Sequence, residues 1–223
     1  KHVAVKENKP TVIFSLEMGA EDLIERMVAS EGMVPTYHLK TGNLSTDEWR
    51  RLVHAQSNLY DAPIFVDDTA GIRISEIRSK ARKLAQEMGG IGVIIIDYLQ
   101  LITGSKGENR QQIVSEISRE LKILAKDLKV PVIALSQLSR AVEQRQDKRP
   151  MLADLRESGS IEQDADIVAF LYREAYYQKE QADSQEANNV TELILEKNRH
   201  GSLGTVKLYF HKEYTKFSSV EDI

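Results

Sequence analysis

Four predicted strands end at side chains that can take part in phosphate chemistry. The apolar run TVIFSL ends at Glu17, VIII ends at Asp97, and PVIALS ends at Gln137. A fourth run, TELILE, leads to Lys197 and Arg199. In an open parallel sheet, ligands bind beyond the carboxyl ends of the strands. We therefore expect two carboxylates, an amide and two cations to converge on one crevice.

The two carboxylates each allow two interpretations. Asp97 follows a run of apolar residues and has the form of a Walker B strand, whose carboxylate holds Mg²⁺ through water beside nucleotide phosphates. The same position equally suits a helix cap or a surface acid. Glu17 can polarise an attacking water as a general base. Taken alone, Glu17 fits better as an acid at a helix N-terminus, where the helix dipole favours it.

The amide and the two cations also allow two interpretations when each is considered alone. The Gln137 side chain can donate and accept hydrogen bonds at once, which suits a sensor of the γ-phosphate, although a loop-capping role is the simpler interpretation. Lys197 and Arg199 lie two residues apart, so on a strand they project to the same face. They can stabilise charge on a transferred phosphoryl group, or they can form a solvated edge.

The segment 139–156 is the best local candidate for contact with a nucleic-acid backbone. Its cations are Arg140, Arg145, Lys148, Arg149 and Arg156. The last of these opens the sequence Arg-Glu-Ser-Gly-Ser at 156–160, where main-chain N–H groups beside Gly159 can approach phosphates. Composition alone favours a solvated loop instead.

The elements that position these residues alternate between apolar runs and helical patterns, which predicts a parallel sheet with right-handed crossovers. Ser45 and Glu48 form a capping box at the start of one helix. The C-terminal part alternates apolar and polar residues, which is typical of antiparallel strands at a sheet edge. The predicted parallel strands are 11–16, 64–66, 93–96, 131–136 and 167–172, and the predicted antiparallel strands are 191–197, 205–210 and 214–217. The predicted helices are 20–30, 45–59, 74–88 and 113–128.

The composition is typical of one soluble α/β domain spanning 1–223. Charged residues make up 29%, the net charge is −4, and there is no cysteine, which excludes a disulfide scaffold and is compatible with a cytoplasmic location. No apolar run approaches the roughly 20 residues of a membrane span. We expect mobile loops at 104–109 and 174–189.

One element of ATP chemistry is absent from the 223 residues. No GxxxxGK[ST] sequence occurs, and only ten residues precede the first predicted strand. A P-loop ATPase needs this turn, because its N–H groups and lysine hold the phosphates. We expect the 223 residues by themselves to hydrolyse ATP poorly.

Several long motifs together resemble the C-terminal motor domain of replicative helicases of the DnaB family. The resemblance extends from Thr11 to Phe217, and the combination is far more specific than any single motif. The motifs are VIFSLEM at 12–18, VIIIDYLQLI at 93–102, ENRQQIVSEISRELKILAKDL at 108–128, PVIALSQLSRAVEQRQDKRP at 131–150 and DLRESGSIEQDADIVAFLYR at 154–173.

The resemblance implies a RecA-like fold with a mainly parallel central sheet, antiparallel C-terminal edge strands, and ATP with Mg²⁺ bound between subunits of a homohexameric ring. It implies Glu17 as the catalytic glutamate, Asp97 as the metal-binding Walker B aspartate and Gln137 as the γ-phosphate sensor. It implies that Lys197 and Arg199 reach into the neighbouring subunit's site.

The resemblance further implies that Arg156, Glu157 and Gly159 hold single-stranded DNA in the ring's channel. Primase and a helicase loader are the implied partners. The family's N-terminal primase-binding domain and its phosphate-binding loop are absent from these residues.

Two other functions stay open. A RecA or RadA-type recombination ATPase shares the fold and the ATP chemistry but forms filaments and pairs homologous strands. A non-catalytic ring component would bind DNA without turnover.

Overall fold

The computed structural model describes residues 1–104, 109–177 and 189–220, with residues 156–158 described by their backbone alone. Its first sheet contains β1 (Thr11–Ser15), β2 (Ile64–Asp67), β3 (Val93–Asp97) and β4 (Val132–Ala134). The strands are parallel and lie in the order β2-β1-β3-β4. All of β1 is buried, which explains why its sequence is a continuous apolar run rather than an alternating one.

Helices alternate with these strands along the chain. They are α1 (His2–Val5), α2 (Ala20–Gly32), α3 (Thr36–Thr41), α4 (Thr46–Tyr60), α5 (Ile74–Glu87) and α6 (Arg110–Leu128). Apolar side chains of α5 and α6 that recur at helical spacing share one core with β1 and β3. The buried members of that core are Val12, Phe14, Ile72, Ile77, Ala81, Ile94, Ile96, Leu99, Ile102, Ile117, Leu121, Leu124 and Val130.

The C-terminal strands form a second sheet. It contains β5 (Ile167–Tyr172), β6 (Val190–Asn198), β7 (Gly204–His211) and β8 (Lys216–Ser219), which are antiparallel and lie in this order. Among the described residues, no strand pairing joins the two sheets. The fold class predicted from the sequence is confirmed, with the refinement that the antiparallel strands form their own sheet.

The placement of β5 corrects one detail of the sequence analysis, which grouped 167–172 with the parallel strands. In the structure β5 pairs antiparallel with β6. Its burial explains why: Val168 and Phe170 are buried, whereas Ile167, Ala169 and Leu171 are exposed. Such alternation is typical of a strand with only one covered face.

Other local predictions are confirmed. The capping box of α4 is present, with the Glu48 N–H donating to Ser45 Oγ and the Ser45 N–H donating to Glu48 Oε2 at 2.8 Å. Short helices between β4 and β5 were not predicted: α7 (Ala141–Gln144), a 3₁₀ helix (Leu152–Ser158) and α8 (Gly159–Asp164). Of the two predicted loops, 105–108 and 178–188 lie outside the described residues.

Two further 3₁₀ helices, Leu99–Leu101 and Glu174–Tyr176, follow β3 and β5. No helix within the described ranges is long and apolar enough to cross a membrane.

Candidate active site

The carboxyl ends of β1 and β3 place Glu17 beside Asp97. The strands are in register with Ser15 opposite Asp97, and the Leu16 N–H donates to the Asp97 carbonyl at 2.8 Å. Glu17 is the next residue along the chain, so its backbone leaves the sheet beside the aspartate. The predicted neighbourhood of these two carboxylates is therefore confirmed at the level of the backbone.

Gln100 fixes Gln137 to the same edge of the sheet. Gln100 lies in the 3₁₀ helix that follows β3, three residues after Asp97. Its amide donates to Ser136 Oγ at 2.9 Å and to the Gln137 carbonyl at 3.3 Å. Its Oε1 accepts from the Gln137 N–H at 3.2 Å. The ends of β3 and β4 are thus joined through one side-chain amide.

The side chains of Glu17, Asp97 and Gln137 are available for a ligand. Glu17 and Gln137 are exposed and Asp97 is half-buried. Within the described ranges, none of the three side chains has a hydrogen-bond or ion-pair partner. Two carboxylates and an amide that lie at one sheet edge and are unpaired in the described part of the chain can bind a hydrated cation and position a water molecule.

The side chains at this edge suit a Mg²⁺ ion that is bound partly by substrate phosphates, rather than a metal ion that is enclosed by protein ligands alone. No group of three or more His, Asp or Glu side chains that could enclose a metal occurs in the described part of the chain. Mg²⁺ keeps several waters and commonly binds through one or two carboxylates together with substrate phosphates. Asp97, a half-buried carboxylate at a strand end, suits that mode of binding.

Lys197 and Arg199 lie elsewhere in the same chain. Lys197 Nζ donates to the carbonyls of Glu162 and Gln163, and Arg199 donates to Asp166 Oδ1 at 3.2 Å. The Arg199 N–H also donates to the Asp166 carbonyl at 2.9 Å. Both side chains donate to the Gln163 carbonyl, so the two cations lie close together at the end of α8 and the start of β5. Because β6 ends at Asn198, Arg199 lies just beyond the strand.

This grouping corrects the expectation of a single intrachain crevice. The sequence analysis assumed that β6 ends at the same edge as β1, β3 and β4. Because β6 lies in the second sheet and runs antiparallel to β5, its carboxyl end lies beside the amino end of β5. None of the described partners of Lys197 or Arg199 belongs to the Asp97 edge.

Asp166 is the acidic centre of this second group. It accepts hydrogen bonds from Lys122 and Arg199. The Lys122 hydrogen bond holds the pKa of Asp166 below its ordinary value, partial desolvation opposes this, and the charges of Lys122, Arg199 and His200 reinforce it. Asp166 is therefore ionised at neutral pH and attracts Lys122 and Arg199.

The basic segment 139–156 proves to be mostly engaged with the protein itself. Arg145 forms a two-bond pair with Asp154, and Arg149 pairs with Glu192 of β6 at 2.7 Å. Lys148 Nζ lies 5.0 Å from the centre of the Tyr177 ring. Arg145 and Arg149 therefore each have an acidic partner in the same chain, and their contact with a nucleic-acid backbone stays a prediction.

The predicted DNA-binding residues lie at the end of this segment and just after it. Arg156 and Glu157 lie on the 3₁₀ helix Leu152–Ser158, and Gly159 begins α8. Gly159 has a φ of −50°, and a Cβ there would meet no described atom within 4 Å. The local fold therefore does not require glycine at this position, and the roles of these three residues stay predictions.

Four residues of these networks were missed from the sequence: Gln100, Asp154, Asp166 and Gln163. Only Gln100 had a usable signal, because it follows Asp97 by three residues and can turn back towards the same edge. The others act through partners that are distant along the chain, which spacing does not reveal.

Comparison with known proteins decides the family. The family model for the DnaB-like helicase C-terminal domain matches residues 1–219. The chain belongs to that family. It is 59% identical over 223 residues to the replicative DNA helicase DnaC of Bacillus subtilis (strain 168) and 57% identical over 223 residues to the replicative DNA helicase DnaB of Geobacillus stearothermophilus.

Each of these alignments covers 99% of the chain and 48% of the relative, so the chain spans about half the length of the curated relatives it matches. Two solved structures of similar proteins support the same family assignment. One solved ATPase domain superposes with a TM-score of 0.91 at 42% identity, covering 97% of this chain and 76% of that one. A DnaB-like replicative helicase, described with its interactions with primase, superposes with a TM-score of 0.90 at 43% identity, covering 97% and 52%.

Proposed function

We propose that the chain is the ATP-driven motor of a hexameric replicative DNA helicase, which moves on single-stranded DNA and unwinds the duplex at the fork. The observation that carries the proposal is the grouping of Glu17, Asp97 and Gln137 at adjacent strand ends, with all three side chains free within the described ranges. Membership of the DnaB-like helicase family supports it.

The roles of the three residues follow from their chemistry. Glu17 polarises the water that attacks the γ-phosphate, since an exposed carboxylate can accept its proton. Asp97 would hold Mg²⁺, and the ion would supply positive charge beside the phosphates. The Gln137 amide contacts the γ-phosphate, while Gln100 keeps its backbone in place.

We infer that a phosphate-binding loop completes the nucleotide site, and no GxxxxGK[ST] sequence occurs among the 223 residues. Both sheets support this part of the proposal, because each has an edge strand with uncovered apolar side chains. Ile133 and Leu135, in and just beyond β4, are 53% and 44% exposed, and Ile167 and Leu171 of β5 are 58% and 59% exposed. A further strand and helix carrying the loop would cover them and gain about 25 cal/mol per Å² of apolar surface.

ATP binds between subunits, and Lys197 and Arg199 act on the neighbouring subunit's nucleotide. Their separation from the Asp97 edge within one chain supports action in trans. Binding of ATP draws the two cations towards the neighbouring phosphates, and hydrolysis removes that attraction. Repeated around a ring, this exchange shifts the subunits and the DNA-binding turns they carry.

Arg156, Glu157 and Gly159 hold the single strand through its backbone, which makes the motor tolerant of DNA sequence. The resemblance to DnaB-family helicases implies that movement is 5′ to 3′. Primase is a partner, as for the DnaB-like structural relative described with primase, and a loader places the ring on DNA.

A forked-duplex assay with the full-length protein tests the proposal. We expect unwinding that requires ATP and Mg²⁺, and no pairing of homologous strands. Strand exchange without unwinding would instead favour the recombination ATPase, and DNA binding without any turnover would favour the non-catalytic ring component. Either result would overturn the proposal.

The DNA-binding assignment has its own test. Arg156→Ala should weaken single-strand binding at all sequences and reduce the slope of log affinity against log salt by about 0.7, since one phosphate contact is lost. Arg82→Ala, which alters an exposed cation paired with Asp127 at 2.6 Å, is the matched control. Equal salt slopes for the two variants would remove Arg156 from the DNA-binding set.

A further inference from the structure

A shielded ion pair joins the loop after Gln137 to the 3₁₀ helix that carries Arg156. Arg145 Nη1 donates to Asp154 Oδ1 at 2.9 Å, and Nη2 donates to Oδ2 at 2.8 Å. Asp154 is only 6% exposed and the Arg145 side chain is 30% exposed, so the protein shields this pair from part of the solvent screening. Parallel bonds from a planar guanidinium to a carboxylate permit one relative orientation of the two groups.

Main-chain hydrogen bonds tie Asp154 to both segments as well. The Asp154 carbonyl accepts from the Ser139 N–H at 3.1 Å, and its Oδ2 accepts from the Met151 N–H at 2.8 Å. Ser139 lies two residues after Gln137, and Asp154 lies two residues before Arg156. A displacement of the loop that follows Gln137 therefore acts on Asp154 in two ways, through the Asp154 carbonyl and through the Asp154 carboxylate.

The far end of the same loop is anchored to the second sheet. Arg145 Nη2 also donates to the Arg149 carbonyl at 2.8 Å, and its Nε donates to the Asp147 carbonyl at 3.2 Å. Arg149 in turn pairs with Glu192 of β6 at 2.7 Å. Arg145 thus joins the loop to the 3₁₀ helix through Asp154, and Arg149 joins the same loop to the second sheet.

We propose that the Arg145–Asp154 pair is a positioning pair that couples nucleotide state at Gln137 to the DNA-binding turn 156–159. Neither residue touches nucleotide or DNA. Their bonds make the loop and the 3₁₀ helix move as one body, so the turn shifts when Gln137 gains or loses its phosphate contact. This inference rests on the proposed function and adds the physical connection between the two sites.

The experiment measures coupling in the full-length protein carrying Asp154→Asn. The substitution keeps the side-chain shape and removes the charge. We expect basal ATP hydrolysis to be retained, whereas stimulation by single-stranded DNA falls about fivefold or more. The difference in DNA affinity between a non-hydrolysable ATP analogue and ADP should also shrink, because this difference is the coupling free energy between the two binding sites.

A matched control separates this role from general loosening of the loop. Glu192→Gln releases Arg149 from β6 in the same loop and leaves the Asp154 carboxylate untouched. We expect this variant to keep its DNA stimulation. Equal loss of stimulation in both variants would overturn the proposal, as would a fall in basal and stimulated rates by one common factor in Asp154→Asn.

A second substitution protects the test if Asp154→Asn fails to fold, which thermal unfolding would reveal. Arg145→Lys keeps the positive charge but cannot make the parallel bonds to Asp154 and also reach the carbonyls of Arg149 and Asp147. We expect a partial loss of DNA stimulation, and full stimulation in a folded Arg145→Lys protein would contradict the proposal. A wild-type protein without ATP hydrolysis would instead refute the proposed function itself.

Discussion

The Asp97 edge of the first sheet and the Asp166 group beside the second sheet hold their charged residues in opposite ways. Glu17, Asp97 and Gln137 have fixed backbones and side chains that are unpaired within the described ranges, which leaves them ready for a ligand. Lys197 and Arg199 are held by acceptors of their own chain. The first region is prepared for binding, whereas the second must exchange its internal partners before it can act elsewhere.

The exchange is energetically accessible because the internal partners are exposed. A solvent-exposed ion pair contributes at most about 1 kcal/mol, whereas a phosphoryl group in a subunit interface offers several charged oxygens to the same guanidinium. Under the proposed function, Arg199 leaves Asp166 when a neighbouring subunit presents a nucleotide, and it returns when the phosphate is lost.

Arg199→Ala is expected to have the largest effect. In the full-length protein, removal of an arginine that acts in trans should lower ATP hydrolysis by about 10³-fold or more. Mixing these subunits with Asp97→Asn subunits should partly restore activity, because some interfaces then combine an intact Asp97 with an intact Arg199. Failure of every mixture to recover would show that the second region does not serve a neighbour's site.

Glu17→Gln is expected to have the next largest effect. Loss of the general base should lower turnover by about 10²–10⁴-fold and leave ATP binding intact, because the amide keeps the shape of the side chain. The control is Glu21→Gln, which changes an acid in the first turn of α2. Fluorescent-nucleotide binding and phosphate release measure the two quantities separately, and normal phosphate release from the Glu17→Gln protein would disprove the assigned role.

Asp166→Asn tests the exchange itself and should have a smaller effect. Without the carboxylate, Arg199 is held less tightly in its own chain, so the apparent affinity for ATP should rise about two- to fivefold, in line with the worth of an exposed ion pair. Titration of hydrolysis rate against ATP concentration measures this. An unchanged or weaker affinity would indicate that Asp166 does not compete with the neighbouring phosphates.

The pH dependence of the Asp166 group should be the smallest effect. Because the folded-state pKa lies below the ordinary value of about 3.9, the carboxylate stabilises the fold above that value. This contribution is lost as pH falls through the depressed pKa, and it is constant from about pH 5 to 8. A carboxyl resonance of Asp166 followed by NMR should titrate below about pH 4, and a midpoint at or above the ordinary value would contradict the pairing with Lys122.

Prediction from sequence succeeded where the signal is local. Runs such as TVIFSL and VIII identify β1 and β3 because a strand covered on both faces must be apolar throughout. The capping box of α4 was found because its partners are three residues apart. The short helices α7 and α8 were missed, since a few residues contain too little periodicity to identify them.

Only part of the candidate site could be predicted, because only that part depends on local sequence patterns. Glu17, Asp97 and Gln137 follow neighbouring strands of one parallel sheet, so topology alone brings them to one edge. The position of Lys197 and Arg199 depends on β6 pairing antiparallel with β5, which no short pattern around those residues specifies.

The sequence by itself determined the family, the parallel strands and the residue types available for phosphate chemistry, because these depend on hydrophobic periodicity and long motifs. Only the tertiary structure decided which cations are paired with acidic side chains of the same chain. Arg145 and Arg149 look like DNA-binding residues in sequence, yet Asp154 and Glu192, which are 9 and 43 residues further along the chain, neutralise them. Charge pairing depends on distances in space, and a linear pattern does not encode those distances.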